Sequence, residues 1–454
     1  MKTYQDYLKA ISHGQSEADF VLAAVDEHKA GIAYRTAVDA EEYYKHRNPT
    51  IMRFQKFIYN RFGQAVPDKW SPNHKVASRF YFYFVTQLTS YLLGNGATFN
   101  NEETKKKLGK TFDRRLQDAA VAAQNGGVSF VFWNLDHIEV FQYTEFAPLW
   151  DEETGELKAG IRFWQIEPTK PLRCTFFDAD GYTEYIRRSG EDVEMLAEKR
   201  PYIINVTGDR VDMEQGTEIR EGQNYEGLPV VPMYNINKQS ELVGQQGTLD
   251  AYDLIASQLV DNVDDGNFIY WILKNCDGMS VEDDEEFLEQ LKITRVAHAD
   301  GGDGASIEAH SVEATYEANE VTLSRLRKQL FEDFMALDVT QIAAGQVTAT
   351  QIESAYDPLN EKADMFEFNV IDTVDEILRL AGIEDEVSFH RSRIANEKEQ
   401  TEMVMMASPY LDERTVLKKL GWVSVDEIDG ILQQRDVEEA ERFTNEEPAG
   451  GGNE

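Results

Sequence analysis

Hydrophobic positions along the chain change period near its middle, and the change divides the sequence into two halves. Residues 80–93 crowd aromatic and branched side chains together and stop at Gly94-Asn95-Gly96, which predicts a buried helix. Residues 111–124 predict another, closed by Asn125-Gly126-Gly127. From Val128 the period shortens to two, with Val128, Phe130 and Phe132 alternating as strand residues do. Segments 141–150 and 161–166 flank Asp151-Glu152-Glu153-Thr154-Gly155 as a hairpin would, and 182–187 and 202–206 predict further strands. Helices packed on a meandering sheet, an α+β arrangement, account for this half. Gly227-Leu228-Pro229-Val230-Val231-Pro232 closes it as an extended, proline-punctuated segment.

Helical spacing dominates afterwards. Leu249, Tyr252, Ile255, Leu259 and Val263 share one face, while the polar stretch 261–267 predicts that part of this helix stands in water or against an acidic lumen. Residues 268–273 supply the helix with an apolar end. Residues 275–315 carry eleven carboxylates against Lys292 and Arg295, with a short helix near 285–291 and alternation at Ile293, Val296 and Ile307; a small α/β subdomain is expected. Leu323, Leu326, Leu330, Phe334 and Leu337 form a heptad-like stripe, and Leu359, Ala363, Phe366, Val370, Val374, Ile377 and Ala381 form a second. Asp357-Pro358 sits inside that helical region, just before this second stripe, and predicts a kink or a new start. A strand at 387–389, helices at 395–406, 413–420 and 425–443, and a disordered tail 445–454 complete the reading.

Composition narrows what such a chain can do. At 454 residues it can hold about two to four domain-sized units. Lys plus Arg number 45 against 82 Asp plus Glu, a net charge of −37. That balance disfavours static gripping of DNA or of an anionic membrane, because both contacts use Lys and Arg to displace counterions. It does not forbid DNA from passing through a like-charged passage. Between Glu41 and Phe80 the balance reverses, with eight basic residues against three acidic ones. Arg53, Lys56 and Arg61 lie in this island, which suits either a head-to-tail contact with another copy of the chain or a solvated helical face. Cys174 and Cys276 lack metal or redox spacing, so a reduced compartment is expected. Neither a leader nor a membrane span is legible, which points to a soluble protein made in the cytoplasm.

Catalytic signatures are missing from the sequence. It has no phosphate-cradling Gly-x-x-x-x-Gly-Lys-Ser/Thr, no Gly-x-Ser-x-Gly and no histidine pair at helical metal spacing. Gly301-Gly302-Asp303-Gly304 reads as a surface turn. The run Val281-Glu282-Asp283-Asp284-Glu285-Glu286 would suit a divalent cation, but acids at a helix start explain it better. No cofactor and no metal are expected, and the chain reads as a structural protein rather than an enzyme.

The remaining signal is a run from Val339 to Ile352 without charge, aromatic ring or proline, set between two amphipathic helices. Small neutral hydrogen-bonding side chains suit light, reversible contact with a polyanion. Four blocks in order resemble the portal, or head-to-tail connector, proteins of long-tailed double-stranded-DNA bacteriophages. They are Tyr91-Leu92-Leu93-Gly94-Asn95 with Thr98-Phe99; residues 227–232 followed by Leu249-Asp250-Ala251-Tyr252-Asp253 and Ser257; residues 345–352; and Phe389-His390-Arg391 before an acidic tail. The first 40 residues carry none of the pattern.

The resemblance implies a portal fold with wing, stem, clip and crown, assembled as a dodecameric ring at a capsid vertex. Mapped onto this chain, the wing is 1–246 with 348–394, the stem helices 247–275 and 316–337, the clip 276–315, the tunnel loop 338–347 and the crown 395–444. Thr340, Gln341, Gln346 and Thr348 would face the DNA, and Glu285, Glu286, Glu289, Lys292 and Arg295 would dock motor and adaptor. Arg53, Lys56 and Arg61 would touch a neighbouring subunit or the capsid. Implied partners are double-stranded DNA in transit, terminase, major capsid and scaffolding proteins, and a head-completion or tail adaptor; no membrane is involved. Another ring-forming tail or baseplate subunit, or a carboxylate-dependent metal enzyme, are the competing readings.

Overall fold

The computed structural model describes residues 1–59, 62–69, 71–204, 210–212, 217–219, 222–265, 269–274, 306–311, 316–340, 349–391, 404–420, 428, 430–435 and 437. They fall into two compact units, residues 1–391 and 392–454.

The first unit opens with helices α1 (Tyr4–Ser12), α2 (Glu17–Ala30), α3 (Ile32–Tyr44) and α4 (Pro49–Arg53). Thr3 and Asp6 start α1 with a reciprocal capping box: the Thr3 hydroxyl accepts from the Asp6 N–H at 3.1 Å, and the Thr3 N–H donates to the Asp6 carboxylate at 3.2 Å. A small hairpin, β1 (Phe57–Tyr59) with β2 (Ala65–Pro67), precedes α5 (Phe80–Leu93), β3 (Ala97–Phe99), α6 (Glu102–Lys107) and α7 (Phe112–Gly126). Then come β4 (Val128–Asn134), β5 (His137–Phe141), β6 (Phe146–Trp150), β7 (Leu157–Trp164), β8 (Leu172–Asp178), β9 (Gly181–Arg187) and β10 (Val193–Arg200).

Strands β6 to β10 form a five-stranded antiparallel meander in sequence order. Helix α2 lies on one face of it, where Phe20, Val21, Ala24 and Val25 meet Leu149, Ile161, Phe163, Phe176 and Tyr185. Within the first 40 residues, which carried none of the pattern, α1 and α2 thus form a helical layer on this sheet, while α3 packs on α7 and α5. Gly160 in β7 allows the sheet its close packing, because a Cβ there would lie 2.0 Å from the Phe146 ring. Short strands β11 (Ile203–Ile204), β12 (Arg210–Asp212), β13 (Thr217–Ile219) and β14 (Gly222–Gln223) pair β11 with β14 and β12 with β13.

The proline-punctuated segment is extended, as expected, and is the last strand before the helices that follow. As β15 (Val230–Tyr234) it returns to pair with β4, at the edge of the sheet β15-β4-β5 and with Pro232 opposite Phe130. An edge strand has one free side, where the missing proline N–H costs no ladder bond.

Helices α8 (Gln246–Asp265), α9 (Tyr316–Asp333) and α10 (Ala349–Ala381) follow, with β16 (Ile269–Lys274), β17 (Ser306–Ser311) and β18 (Val387–Phe389). The stripe predicted on α10 is the spine of the largest core: Leu359, Ala363, Phe366, Val370, Val374 and Ile377 are buried against α5, α7, β4 and β15. α10 runs through Pro358 as one helix, since this dense packing outweighs the single backbone bond that proline removes. The start of α8 and the end of α9 share a cluster of Leu242, Leu249, Leu330, Phe331 and Phe334, so these helices run antiparallel. Residues 269–273 are not the apolar end of α8, as expected, but part of β16, paired with β17 from Ile269↔Ser311 to Lys274↔Ser306. Ile-Tyr-Trp-Ile-Leu favours strand because branched and aromatic side chains keep their rotamers on a pleated surface.

In the second unit, Asp412 caps α11 (Glu413–Lys419), accepting from the Thr415 N–H at 3.0 Å.

Candidate functional site

Helix α8 is built with two opposed faces. Leu249 and Tyr252 turn toward α9 and α5. Asp250, Asp253, Ser257, Asp261 and Asp264 recur at steps of three and four and form a polar seam against residues 43–79. Asn48 caps α4 with its side-chain oxygen and gives its amide N–H groups to Asp250 at 2.9 Å and Asp253 at 2.8 Å. Asp253 also accepts from the Ser78 N–H at 2.9 Å, and Ser257 Oγ accepts from the Val76 N–H at 3.0 Å. Burial pushes the Asp253 carboxyl up.

At the far end of the seam, Asp261 is only 2% exposed. Lys56 Nζ reaches it at 2.8 Å, and His74 meets it with both backbone N–H and ring Nδ1, each at 2.8 Å. Burial alone would raise this carboxyl; Lys56 and His74 together hold it below its usual value. The polar stretch of α8 therefore does not simply stand in solvent or lumen: Asp261 turns inward, while Val263 and Asp264 remain exposed. Lys56 is engaged within its own chain, Arg53 ends α4 in the open, and Arg61 lies outside the described residues.

The segment leading into the uncharged run is clamped at its start. Gln87 of α5 exchanges two hydrogen bonds with the Leu337 backbone, both 2.9 Å, and the Tyr83 hydroxyl donates to the Leu337 carbonyl at 3.1 Å. Asp338 accepts from the Thr340 N–H at 3.1 Å and hydroxyl at 2.6 Å, while Arg327 bonds Asp338 at 2.9 Å and Thr340 at 3.0 Å. On the other side of the run, Lys362 of α10, 6% exposed, donates to Glu241 at 2.6 Å and to the Phe334 carbonyl at 3.0 Å. Tyr91 stacks on Tyr356, with ring centroids 5.8 Å apart, and bonds Asn360. Each flank of the run is thus tied to the same body by polar contacts.

Of the predicted DNA-facing residues, Thr340 is exposed beside this clamp, and Gln341, Gln346 and Thr348 lie outside the described residues. So do Glu285, Glu286, Glu289, Lys292 and Arg295, with the whole expected subdomain apart from β17. Sequence reading missed Asn48, Gln87 and Lys362. Two of them left a signal: Asn48 precedes Pro49 as an N-cap does, and Lys362 interrupts the stripe between Leu359 and Ala363. Among the described residues no group of His, Cys, Asp and Glu is arranged to hold a metal ion, and no helix is long and apolar enough to cross a membrane.

The first unit is an α+β body in which polar side chains fix the chain on either side of the uncharged run. The family described as "Phage portal protein, SPP1 Gp6-like" matches residues 33–447, and the chain belongs to that family. It is similar to the portal protein of Clostridium phage phiCD119, at 23% identity over 90% of this chain and 92% of that one, and to the portal protein of Bacillus phage SPP1, at 22% identity over 85% and 79%. Two solved chains also match, one in the "Neck of empty GTA particle computed with C6 symmetry" (9% identity, 76% of this chain, 90% of that chain, TM-score 0.40). The other is in the "Neck of native GTA particle computed with C12 symmetry" (10% identity, 75%, 89%, TM-score 0.38). Phage portal proteins are virion components at the capsid vertex, and the chain is a structural protein of DNA packaging and ejection.

Proposed function

We propose that copies of this chain close into a dodecameric ring whose bore is lined, at its narrowest level, by the uncharged run between α9 and α10. Thr340, Gln341, Gln346 and Thr348 then offer exchangeable hydrogen bonds to passing phosphates, and the carboxylate-rich surroundings repel the rest of the duplex. The observation that carries this reading is the anchorage of both flanks: Gln87 and Arg327 fix the start, Lys362 fixes the return. A loop held at both ends can touch DNA without being dragged along by it.

In the same reading α8 and α9 form the stem, and residues 276–315, with Glu285, Glu286, Glu289, Lys292 and Arg295, form the clip that docks terminase and later a head-completion or tail adaptor. Capsid and scaffolding proteins meet the outer body, assembly takes place in the host cytoplasm, and the chain has no enzymatic turnover of its own. Electron microscopy of the purified chain tests the ring directly: a hollow ring with a stalk is expected, and a solid single molecule would overturn it. Gln341→Lys with Gln346→Lys should leave rings intact and cut packaging of full-length genomes at least tenfold, because added cations hold phosphate. Unchanged packaging would remove the loop from the DNA path.

A further inference from the structure

Two apolar patches stand open on the first unit, and their flanking charges are opposite. The hairpin strand β1 exposes Phe57 (58%), Ile58 (41%) and Tyr59 (77%), and nearby Met52 and Phe54 are 48% and 39% exposed. Both faces of β1 are open, and its sheet has only two strands. A two-stranded hairpin in water is marginally stable by itself, so apolar residues on both its sides call for a cover. This patch lies in the basic stretch 41–80 of an otherwise very acidic chain.

The second patch is the outer face of α10. Met365 is 48% and Phe368 69% exposed, and Glu361, Asp372 and Asp375 are exposed at the helical spacing that puts them on the same face. Burial and the neighbouring charges of Asp372 and Glu386 raise the Asp375 carboxyl. Both patches are open in the single chain, so neither covers the other within one molecule.

We infer that the β1–β2 hairpin of one protomer docks on the Met365–Phe368 face of α10 in the next copy of this chain. The inference rests on the ring reading above and adds to it which surfaces meet. A ring needs a heterologous contact between two different complementary surfaces, whereas a two-fold dimer needs one surface that matches itself. Apolar with basic on the hairpin, and apolar with acidic on α10, is such a heterologous match. Arg53, at the rim of the hairpin patch, then faces the carboxylates of the neighbouring α10.

Two double variants of the full chain test it by sedimentation: Phe57→Asp with Tyr59→Asp, and Met365→Asp with Phe368→Asp. All four positions are exposed, so each chain keeps its core. The expected result is that wild type forms rings, each variant alone loses at least nine-tenths of them, and an equal mixture yields dimers and nothing larger, because one intact hairpin and one intact α10 face remain. Rings from either variant alone would overturn the pairing while leaving the ring reading in place; a mixture without dimers would do the same. Wild type that never forms rings would overturn both. Tyr59→Cys with Phe368→Cys gives a second measurement, read on the rings that this variant still forms. Mild oxidation should produce a ladder of covalent multimers, and monomer alone from intact rings would refute the contact.

Discussion

Lys362 offers a sharp test of how the uncharged run is anchored. Its ammonium group is buried on α10 between the Glu241 carboxylate, itself with a side chain only 12% exposed, and the Phe334 carbonyl. Lys362→Met keeps the length and the apolar stem but removes the charge. Among the described residues Glu241 then retains only the amide of Asn235, at 3.1 Å, and its uncompensated charge stays buried. Breaking a buried pair from one side costs about 3–5 kcal/mol, while replacing both partners by neutral groups is close to neutral. Adding Glu241→Gln, which can still accept from Asn235, should therefore restore most of the loss. Equilibrium urea unfolding followed by tryptophan fluorescence measures all four corners of this cycle. A single variant within about 1 kcal/mol of wild type, or a double variant that loses the sum of the two single losses, would refute the claim that this pair ties α10 to the turn before α8.

Three further perturbations probe the rest of the body. Burial depresses the His28 imidazole from 6.5 to about 4 while its Nε2 bonds the Tyr143 carbonyl at 2.9 Å. The unfolded chain takes up this proton first, so the contribution is complete above about pH 6.5 and falls by up to about 3 kcal/mol as pH drops toward 4. His28→Leu should flatten that part of the stability–pH curve relative to wild type, and parallel curves would refute it. Gly160→Ala should cost about 1–3 kcal/mol by driving a Cβ into the Phe146 ring, and Phe146→Leu should recover part of it in thermal melts. Asp261→Ala should leave Lys56 and His74 without their shared partner, so that limited proteolysis cuts within 54–79 sooner than in wild type; an unchanged pattern would show that the hairpin is held by other contacts.

Where one period governed a segment, the sequence was legible. The α10 stripe from Leu359 to Ile377, the buried helix 80–93 and the glycine-closed helix before Val128 all follow from spacing alone, because a single face of each meets a single core. Strand β8 escaped because almost every residue in it is buried, Leu172, Cys174, Phe176 and Asp178 on one face and Thr175 and Phe177 on the other, which erases the alternation that betrays a strand. Strand β10 escaped for the opposite reason, since its polar edge residues resemble a loop. The seam on α8 was readable as periodic, yet polarity there meant partners 175 to 205 residues away in sequence, which no local pattern discloses. Of the site, only the uncharged run was visible; the clamps around it use single side chains such as Gln87, whose neighbours in sequence give no hint of them.

Because α8 is apolar toward α9 and acidic toward residues 43–79, its rotational setting is fixed twice. Each residue turns a helix by about 100°, so one residue inserted between Asp253 and Asp261 would swing the latter carboxylate away from Lys56 while Leu249 stayed where it is. Seven residues, close to two full turns, would lengthen the helix by about 10 Å and return both faces nearly to their old bearings. Reach along this axis is therefore quantised: the helix can grow or shrink by lengths close to whole turns, such as seven or about eleven residues, but not by single residues.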